Sequence, residues 1–309
     1  MDIFLEPNKP KSKILFVGEG NFSFSRCLVE NSENINENIT VTCFEAESDQ
    51  NESTKENINV LKNHGIQVMF GIDATKLNEI KVIWDKIIFM FPHIGGKMKI
   101  QKNRDLLKNF ALCTQKVLEN DGKVIVTLCD GQGGTPYDNV KRLEADSWQI
   151  LKMMSYGSFG LVQALKLQLE QYPGYKPFGY RSQDKGFHVE QATVHIFQNF
   201  PPITIQNDQI SKSMICAPKY QNDLSFWITD GKTEVPEDIF REIINKESKY
   251  SVIKVDLIDK YFSEQKGLHS QTHRLTYFNE KFVISPNDVM ILHYSIGSVL
   301  TKHLNINIR

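Results

Sequence analysis

Residues Lys13-Ile-Leu-Phe-Val-Gly-Glu-Gly-Asn-Phe-Ser-Phe-Ser25 constrain this chain more than any other stretch. Ile14 to Val17 form a short apolar, partly β-branched run, the composition of a strand buried on both faces of a parallel sheet. Gly18 and Gly20 then permit a tight turn and let a ligand approach bare backbone. Asn21, Ser23 and Ser25 can cap free N–H groups ahead of a helix through Arg26-Cys-Leu-Val-Glu30. Strand, glycine turn and helix form the first half of a nucleotide-binding crevice. Two glycines at this spacing also serve a plain strand-to-helix turn, so the rest of the chain has to decide.

The pattern continues. Ile39-Thr-Val-Thr-Cys-Phe44 is a second buried strand ending on Glu45-Ala-Glu47. A carboxylate at that tip can grip a ribose diol, or Glu45 and Glu47 can open a solvated helix through Glu52, Lys55 and Leu61. Gln67 to Asp73 gives a third strand, with Asp73 placed to cap a short helix containing Leu77 and Ile80. A fourth strand, Trp84 to Met90, runs into Phe91-Pro-His-Ile-Gly-Gly96. Lys97, Lys99, Lys102, Arg104 and Lys108 follow, on or before a helix starting near Asn103 whose Leu106, Leu107, Phe110 and Leu118 pack inward. These cations form either a solvated helix face or a phosphate-steering strip beside the mouth of the site. A fifth strand, Gly122 to Cys129, is reached through an Asn120-Asp-Gly turn and leads into a mobile loop, Asp130 to Tyr137. A helical stretch through Trp148 and Met153, a strand near Leu161–Leu169 and an antiparallel seventh strand, Gln191 to Phe197, complete the sheet. Between the last two strands, Gly179 to His188 mixes aromatic, cationic and amide groups. Tyr180 and Arg181 there suit stacking and phosphate contact with a flipped base, or an ordered surface loop.

Paired prolines in Asn199-Phe-Pro-Pro202 mark a boundary, giving a first domain over 1–200, a linker over 201–217 and a second domain over 218–309. A length of 309 residues is comfortable for two cores. The second domain reads strand, helix, strand, strand, helix, strand, the ferredoxin-like split βαβ unit. The chain is 40% hydrophobic and 24% charged, with a formal net charge of −1. No global basic field advertises nucleic acid, so RNA would have to be held by local patches. Five scattered cysteines, none in a C-x-x-C pair, point to a reducing compartment and away from a zinc ribbon, and no metal is expected. No apolar run approaches the ~18 residues a membrane span needs. The acidic, short N-terminus is unlike a signal or transit peptide, so the expected address is cytoplasmic or nuclear, including the nucleolus.

The wording of several motifs carries a resemblance. Gly18-Glu-Gly-Asn-Phe-Ser-Phe-Ser25, Gly71-Ile-Asp-Ala-Thr75, Phe91-Pro-His93 and Tyr172-Pro-Gly-Tyr175 resemble the methyltransferase family that modifies N3 of a uridine in large-subunit ribosomal RNA. Asp223-Leu-Ser-Phe-Trp-Ile228, Val255-Asp-Leu-Ile-Asp259, His273-Arg-Leu-Thr-Tyr277 and the terminal Arg309 resemble the ferredoxin-fold anticodon-binding domain of phenylalanyl-tRNA synthetases.

The resemblance implies an α/β chain: a Rossmann-like seven-stranded methyltransferase sheet followed by an α+β ferredoxin-like domain. It implies S-adenosyl-L-methionine as cofactor, held by Gly18, Glu19, Gly20, Asn21, Phe22, Glu45, Asp73, Ala74 and Phe91, with Asp73 meeting the adenine amino group. Met90, Pro92 and His93 would face the target base. The family usually carries Asn where this chain has Met90, and a thioether cannot both donate and accept at an imide edge as a carboxamide does. Uridine N3 must lose a weakly acidic proton to a nearby base or along a water path, and His93, which can also be a structural loop histidine, is expected to be the only crevice side chain titrating near neutral pH. Implied RNA contacts are Lys97, Lys102, Tyr180 and Arg181 in the first domain, and Trp227 and Arg274 in the second. The expected partner is ribosomal or transfer RNA. Two other readings stand beside the enzyme: a non-catalytic RNA-binding protein that keeps the fold, favoured by Met90, and a translation-associated subunit that docks a partner protein.

Overall fold

β1 (Lys13–Val17) sends alternate side chains to opposite faces of a sheet, which is why its apolar run is continuous. Ile14 and Phe16 enter one core with Phe24, Leu28, Ile58 and Leu61, while Leu15 and Val17 enter another with Leu107, Phe110, Ile150 and Met154. The first group comes from α1 (Ser23–Glu30) and α2 (Glu52–Asn63), the second from α3 (Ile100–Thr114) and α4 (Ile150–Ser155). A sheet therefore lies between two helical layers. This computed structural model describes residues 3–5, 9, 11–32, 35, 37–96, 99–177, 188–201, 213–249 and 251–309.

The other strands of the sheet are β2 (Asn38–Thr42), β3 (Gln67–Met69), β4 (Trp84–Met90), β5 (Leu118–Leu128), β6 (Phe159–Lys166) and β7 (Thr193–Asn199). Their order is β3-β2-β1-β4-β5-β7-β6. β1 to β5 run parallel, and β7 is antiparallel to both β5 and β6. The order reverses between β1 and β4, so a crevice opens beyond their carboxyl ends.

Three local expectations change. β3 ends at Met69, four residues short of Asp73, because Gly71 at φ +67° turns the chain. The turn is fastened to the tip of β2 by Gly71 N–H donating to the Glu45 carbonyl and Ile72 N–H to that of Cys43. Leu118 opens β5 rather than closing α3, and Asn120-Asp-Gly122 lies inside that strand as an irregularity. Its register on β4 jumps from Trp84↔Leu118 to Lys86↔Lys123. The loop after β5 is pinned through the buried Asp138, whose carboxylate accepts from Gly131 N–H and from the N–H and hydroxyl of Thr135.

By compactness the chain divides into two units, the second carrying Ala217–Arg309. The described end of the expected linker belongs with the first unit: Ile215 N–H donates to the Leu161 carbonyl, and Cys216 bridges Leu161. The second unit contains β8 (Tyr220–Ile228), α5 (Glu237–Ser248), β9 (Val252–Ser263), β10 (Leu268–Tyr277), α6 (Pro286–His303) and β11 (Ile306–Ile308). Its antiparallel sheet has the order β11-β8-β10-β9, the ferredoxin-like arrangement. Ser285 and Asp288 form a reciprocal capping box that starts α6, with Pro286 in its first turn. Leu224, Phe226, Phe240, Leu275, Ile296 and Leu300 fill the core between the sheet and its two helices.

Candidate active site

The crevice at the switch point has a volume of about 670 Å³. Gly18 (φ +66°) and Gly20 (φ +47°) form its floor, both in the left-handed region. A Cβ on Gly18 would sit 2.6 Å from Cε2 of Phe89, so only glycine fits between β1 and β4 here. Phe22 also has a positive φ of 58°, and as N-cap of α1 it supplies backbone rather than a side-chain cap. Capping comes from elsewhere: Glu19 Oε2 accepts from Ser25 N–H at 3.1 Å, and Asn21 Oδ1 accepts from Ser23 N–H at 3.1 Å.

Asn21 and Ser23 do a second job. Asn21 Nδ2 and the Ser23 hydroxyl both donate to the Lys176 carbonyl at 3.0 Å, fastening the Tyr172–Lys176 stretch over the glycine turn. Tyr175 thereby reaches the crevice, with its ring stacked on Phe91 at 6.4 Å between centroids and edge-on to Phe24 at 5.1 Å. Tyr175 was absent from the residues expected at the site. Its signal was the Tyr-Pro-Gly-Tyr wording alone, because nothing local shows that residues so far along the chain return to the glycine turn.

The opposite wall carries the ribose and adenine candidates. Glu45 is exposed at the tip beyond β2, and its carboxylate has no hydrogen bond or ion pair among the described residues. Asp73 does not cap the helical turn at Leu77–Ile80, whose N-cap is Lys76. Its Oδ1 instead accepts from the N–H and hydroxyl of Thr75 at 2.8 and 2.7 Å, leaving Oδ2 without a protein partner among the described residues. Ala74 lies beside it in the lining.

Beyond β4 the chain turns sharply at Phe91, which holds φ at 50°, a costly conformation for an aromatic residue and typical of functional sites. Its N–H donates to the Thr127 carbonyl at 2.9 Å. Met90 lines the crevice but is buried, and its sulfur accepts a hydrogen bond from the Thr127 hydroxyl at 3.2 Å. Asn103 Oδ1 accepts from Ile94 N–H, tying this loop to α3. His93 Nδ1 accepts from Gly95 N–H at 2.7 Å. The neutral imidazole therefore carries its proton on Nε2, where it can donate. Burial, and then the nearby Lys99, hold its pKa below the usual histidine value, which keeps it neutral.

Glu19, which nothing in the sequence marked as titrating near neutrality, is the group that does. It is 8% exposed, and burial pushes its pKa up to about 7 against the lowering effect of the Ser25 side chain and backbone N–H.

Of the expected site residues, Gly18, Glu19, Gly20, Asn21, Glu45, Asp73, Ala74, Met90, Phe91 and His93 line one crevice. Phe22 packs in the core against Phe70, and Pro92 is buried and does not line the crevice. Lys97, Tyr180 and Arg181 lie outside the described residues. Lys102 is exposed on α3, whereas Arg104 donates to the carbonyls of Glu144, Ala145 and Ser147 and so holds a loop rather than a phosphate.

In the second unit, side chains alternate between the helix-covered and open faces of the sheet. Trp227 stands on the open face, flanked by Lys266 Nζ at 4.6 Å, the Arg309 guanidinium at 5.2 Å and the Tyr261 ring at 6.2 Å. Arg274 lies on the same face but is spent in a two-pronged pair with Asp223 at 2.7 and 2.8 Å. The expected phosphate role of Arg274 is thus weakened, and Lys266 and Arg309, which sequence reading passed over as RNA contacts, stand beside the aromatic platform.

A doubly wound sheet in this order, with an antiparallel seventh strand and a glycine turn at the switch point, is the fold of the S-adenosylmethionine-dependent methyltransferases. The family described as rRNA (uridine-N3-)-methyltransferase BTM5-like matches residues 15–179, just over half of the chain, and the chain belongs to it. It is 41% identical over 196 residues to human ferredoxin-fold anticodon-binding domain-containing protein 1, and 40% to the mouse homolog. Each match covers 62% of this chain and 31% of the relative, so the match spans about a third of those proteins. The 25S rRNA (uridine(2634)-N(3))-methyltransferase of Saccharomyces cerevisiae is 26% identical over 273 residues, covering 67% of this chain and 78% of that protein. The chloroplastic/mitochondrial phenylalanine–tRNA ligase of Arabidopsis thaliana is 29% identical over 92 residues, covering 30% of this chain and 21% of that one.

Proposed function

We propose that this chain is an S-adenosylmethionine-dependent RNA base methyltransferase acting on uridine N3 of ribosomal RNA, with the second unit as an RNA-binding module of tRNA-binding type. The observation that carries the reading is the crevice itself. One cavity collects a glycine floor, acceptors on Glu45 and Asp73 that have no partner among the described residues, and the His93 loop beyond β4. That donor set fits S-adenosylmethionine: acceptors suit the ribose diol and the adenine amino group, and Tyr175 and Phe91 offer aromatic walls. When bound, the cofactor supplies an electrophilic methyl group, and the protein's work is alignment.

The chain's own residues then orient the acceptor base. His93 Nε2–H donates to a carbonyl of the uracil edge rather than taking the N3 proton, which leaves by a water path. Met90 fills apolar volume with its sulfur turned toward Thr127, so the directional contact that Asn would supply is missing. Losing one such contact in a desolvated site costs about 1–3 kcal/mol, roughly tens to a hundredfold in rate. Mass analysis of nucleosides in ribosomal RNA treated with wild type and Met90→Asn tests this. Weak N3-methyluridine formation by wild type and a gain of about tenfold or more in the variant are expected. Cofactor binding with no methylated nucleoside from either protein favours a non-catalytic RNA-binding protein that keeps the fold, for which the engaged Met90 sulfur is the supporting observation.

A further inference from the structure

The crevice is acidic, and its most buried carboxylate has no counter-charge among the described residues. Glu19, Glu45, Asp49 and Asp73 line it, while no described lysine or arginine does. Glu45 and Asp49 are exposed and Asp73 half-buried, so water solvates them. Glu19 is different: it sits between the two glycines, more than nine-tenths buried and facing the cavity. Among the described residues its carboxylate is held by Ser25 of α1 alone, whose N–H donates to Oε2 and whose side chain also stabilises the charge, and neither group brings a positive charge. The titratable groups packed around it are Cys27 of α1, Cys43 beyond β2 and Tyr175 after β6. All three are neutral groups whose ionisation the Glu19 charge opposes. No cation among the described residues acts on Glu19. A buried carboxylate in this state is either protonated or matched by a positive charge that the described residues do not supply.

We infer that Glu19 is the counter-charge for the positively charged methionine end of S-adenosylmethionine, so that binding the cofactor expels a proton from Glu19. The inference rests on the cofactor reading of the crevice and deepens it by adding regulation by pH. With Glu19 titrating at about 7 when unliganded, half of the molecules hold its proton at that pH. A cation seated beside the carboxylate favours the ionised form, and that half is released. Cofactor affinity then rises as pH rises through 7. It also follows that the unliganded crevice favours a protonated, neutral Glu19 and the loaded one a charged Glu19.

Calorimetry of the full chain with S-adenosylmethionine at pH 7, in buffers of different ionisation enthalpy, counts the protons released. Wild type is expected to release about half a proton, and Glu19→Gln, which keeps the Ser25 acceptor, close to none beyond what the ligand itself exchanges. Between pH 6 and pH 8, wild-type affinity is expected to rise about tenfold relative to Glu19→Gln, since the ligand's own ammonium titrates in both and cancels. S-adenosylhomocysteine, which keeps the ammonium but lacks the sulfonium, locates the charge. Equal proton release places Glu19 against the ammonium, and loss of release places it against the sulfonium. Either outcome supports the inference. Tight binding by wild type with no proton release and the same pH profile as Glu19→Gln overturns it while leaving the cofactor reading intact. No binding by folded wild type overturns both.

Discussion

The crevice of the first unit and the open sheet face of the second carry opposite local chemistry. The crevice gathers four carboxylates and no described lysine or arginine, whereas the open face sets Trp227 between Lys266 and Arg309 and neutralises Asp223 with Arg274. The whole-chain charge of −1 averages these away. A cationic small molecule and an anionic polymer can each find a complementary surface on a chain that is nearly neutral overall, because short-range fields, not net charge, govern contact. The two regions also differ in how they are built. The crevice depends on backbone in the left-handed region and on buried groups, while the open face displays side chains on regular strands. Substitutions should therefore break the first through conformation and the second through lost contacts.

The largest effect is expected at the glycine floor. Gly18→Ala adds a Cβ 2.6 Å from Phe89 at a φ of +66°. It should cost about 1–3 kcal/mol in stability and abolish measurable S-adenosylmethionine binding. Urea unfolding followed by calorimetry of the still-folded variant checks both. Retained binding in a folded Gly18→Ala protein would separate the turn from the cofactor. RNA binding by this variant should be unchanged if the open face works by side-chain contact alone.

On the open face, Trp227→Ala in the full chain is expected to weaken binding of single-stranded or structured RNA about 10- to 100-fold, the value of one stacked base. Arg274→Ala should do less, because its guanidinium is already paired with Asp223. Filter binding across a salt series measures both, and a larger loss in Arg274→Ala would move the contact away from the aromatic platform. Lys266→Ala should lower the salt slope by about one.

The smallest effects sharpen the contrast through pH, with opposite signs. His273 lies buried between the Phe226 and Phe240 rings, with neither ring nitrogen hydrogen-bonded among the described residues, and burial pulls its pKa down to about 4. The folded state binds fewer protons there than the unfolded state, so this contribution is intact above pH 6.5 and lost as pH falls toward 4. Glu19 runs the other way. Its pKa rises from 4.5 to about 7 on folding, so stability declines as pH climbs through that window. Urea midpoints from pH 4.5 to pH 8 should show Glu19→Gln gaining steadily on wild type toward the alkaline end. His273→Phe should gain by a similar or smaller amount toward the acid end. Parallel curves for all three proteins would mean that neither group titrates differently on folding.

Much of the fold was legible because it rests on local rules. The apolar run of β1, the glycines after it and the Ser285–Asp288 box are all short-range signals. The strand order βαββαβ of the second unit was likewise written in period-2 alternation and capping residues. Errors fell where neighbours overrode local wording. Asn120-Asp-Gly reads as a turn, yet pairing with β4 keeps it in β5, and Gln67–Asp73 reads as one strand until Gly71 bends it to the tip of β2.

Within the site, the sequence by itself determined which residues follow the strands: Gly18 and Gly20 after β1, Glu45 after β2, and the Phe91–His93 loop after β4, with Asp73 further along the turn after β3 than expected. Strand periodicity and turn chemistry act over a few residues and are visible one segment at a time. Only the tertiary structure decided what those residues can do. It brought Tyr175 onto Phe91, gave the Met90 sulfur to Thr127, used His93 Nδ1 on Gly95, paired Arg274 with Asp223, and buried Glu19 without a described cation. Protonation, tautomer and charge are set by which groups lie within a few ångströms and by how much water reaches them. Those are properties of the packed chain, in which residues far apart in sequence become each other's solvent.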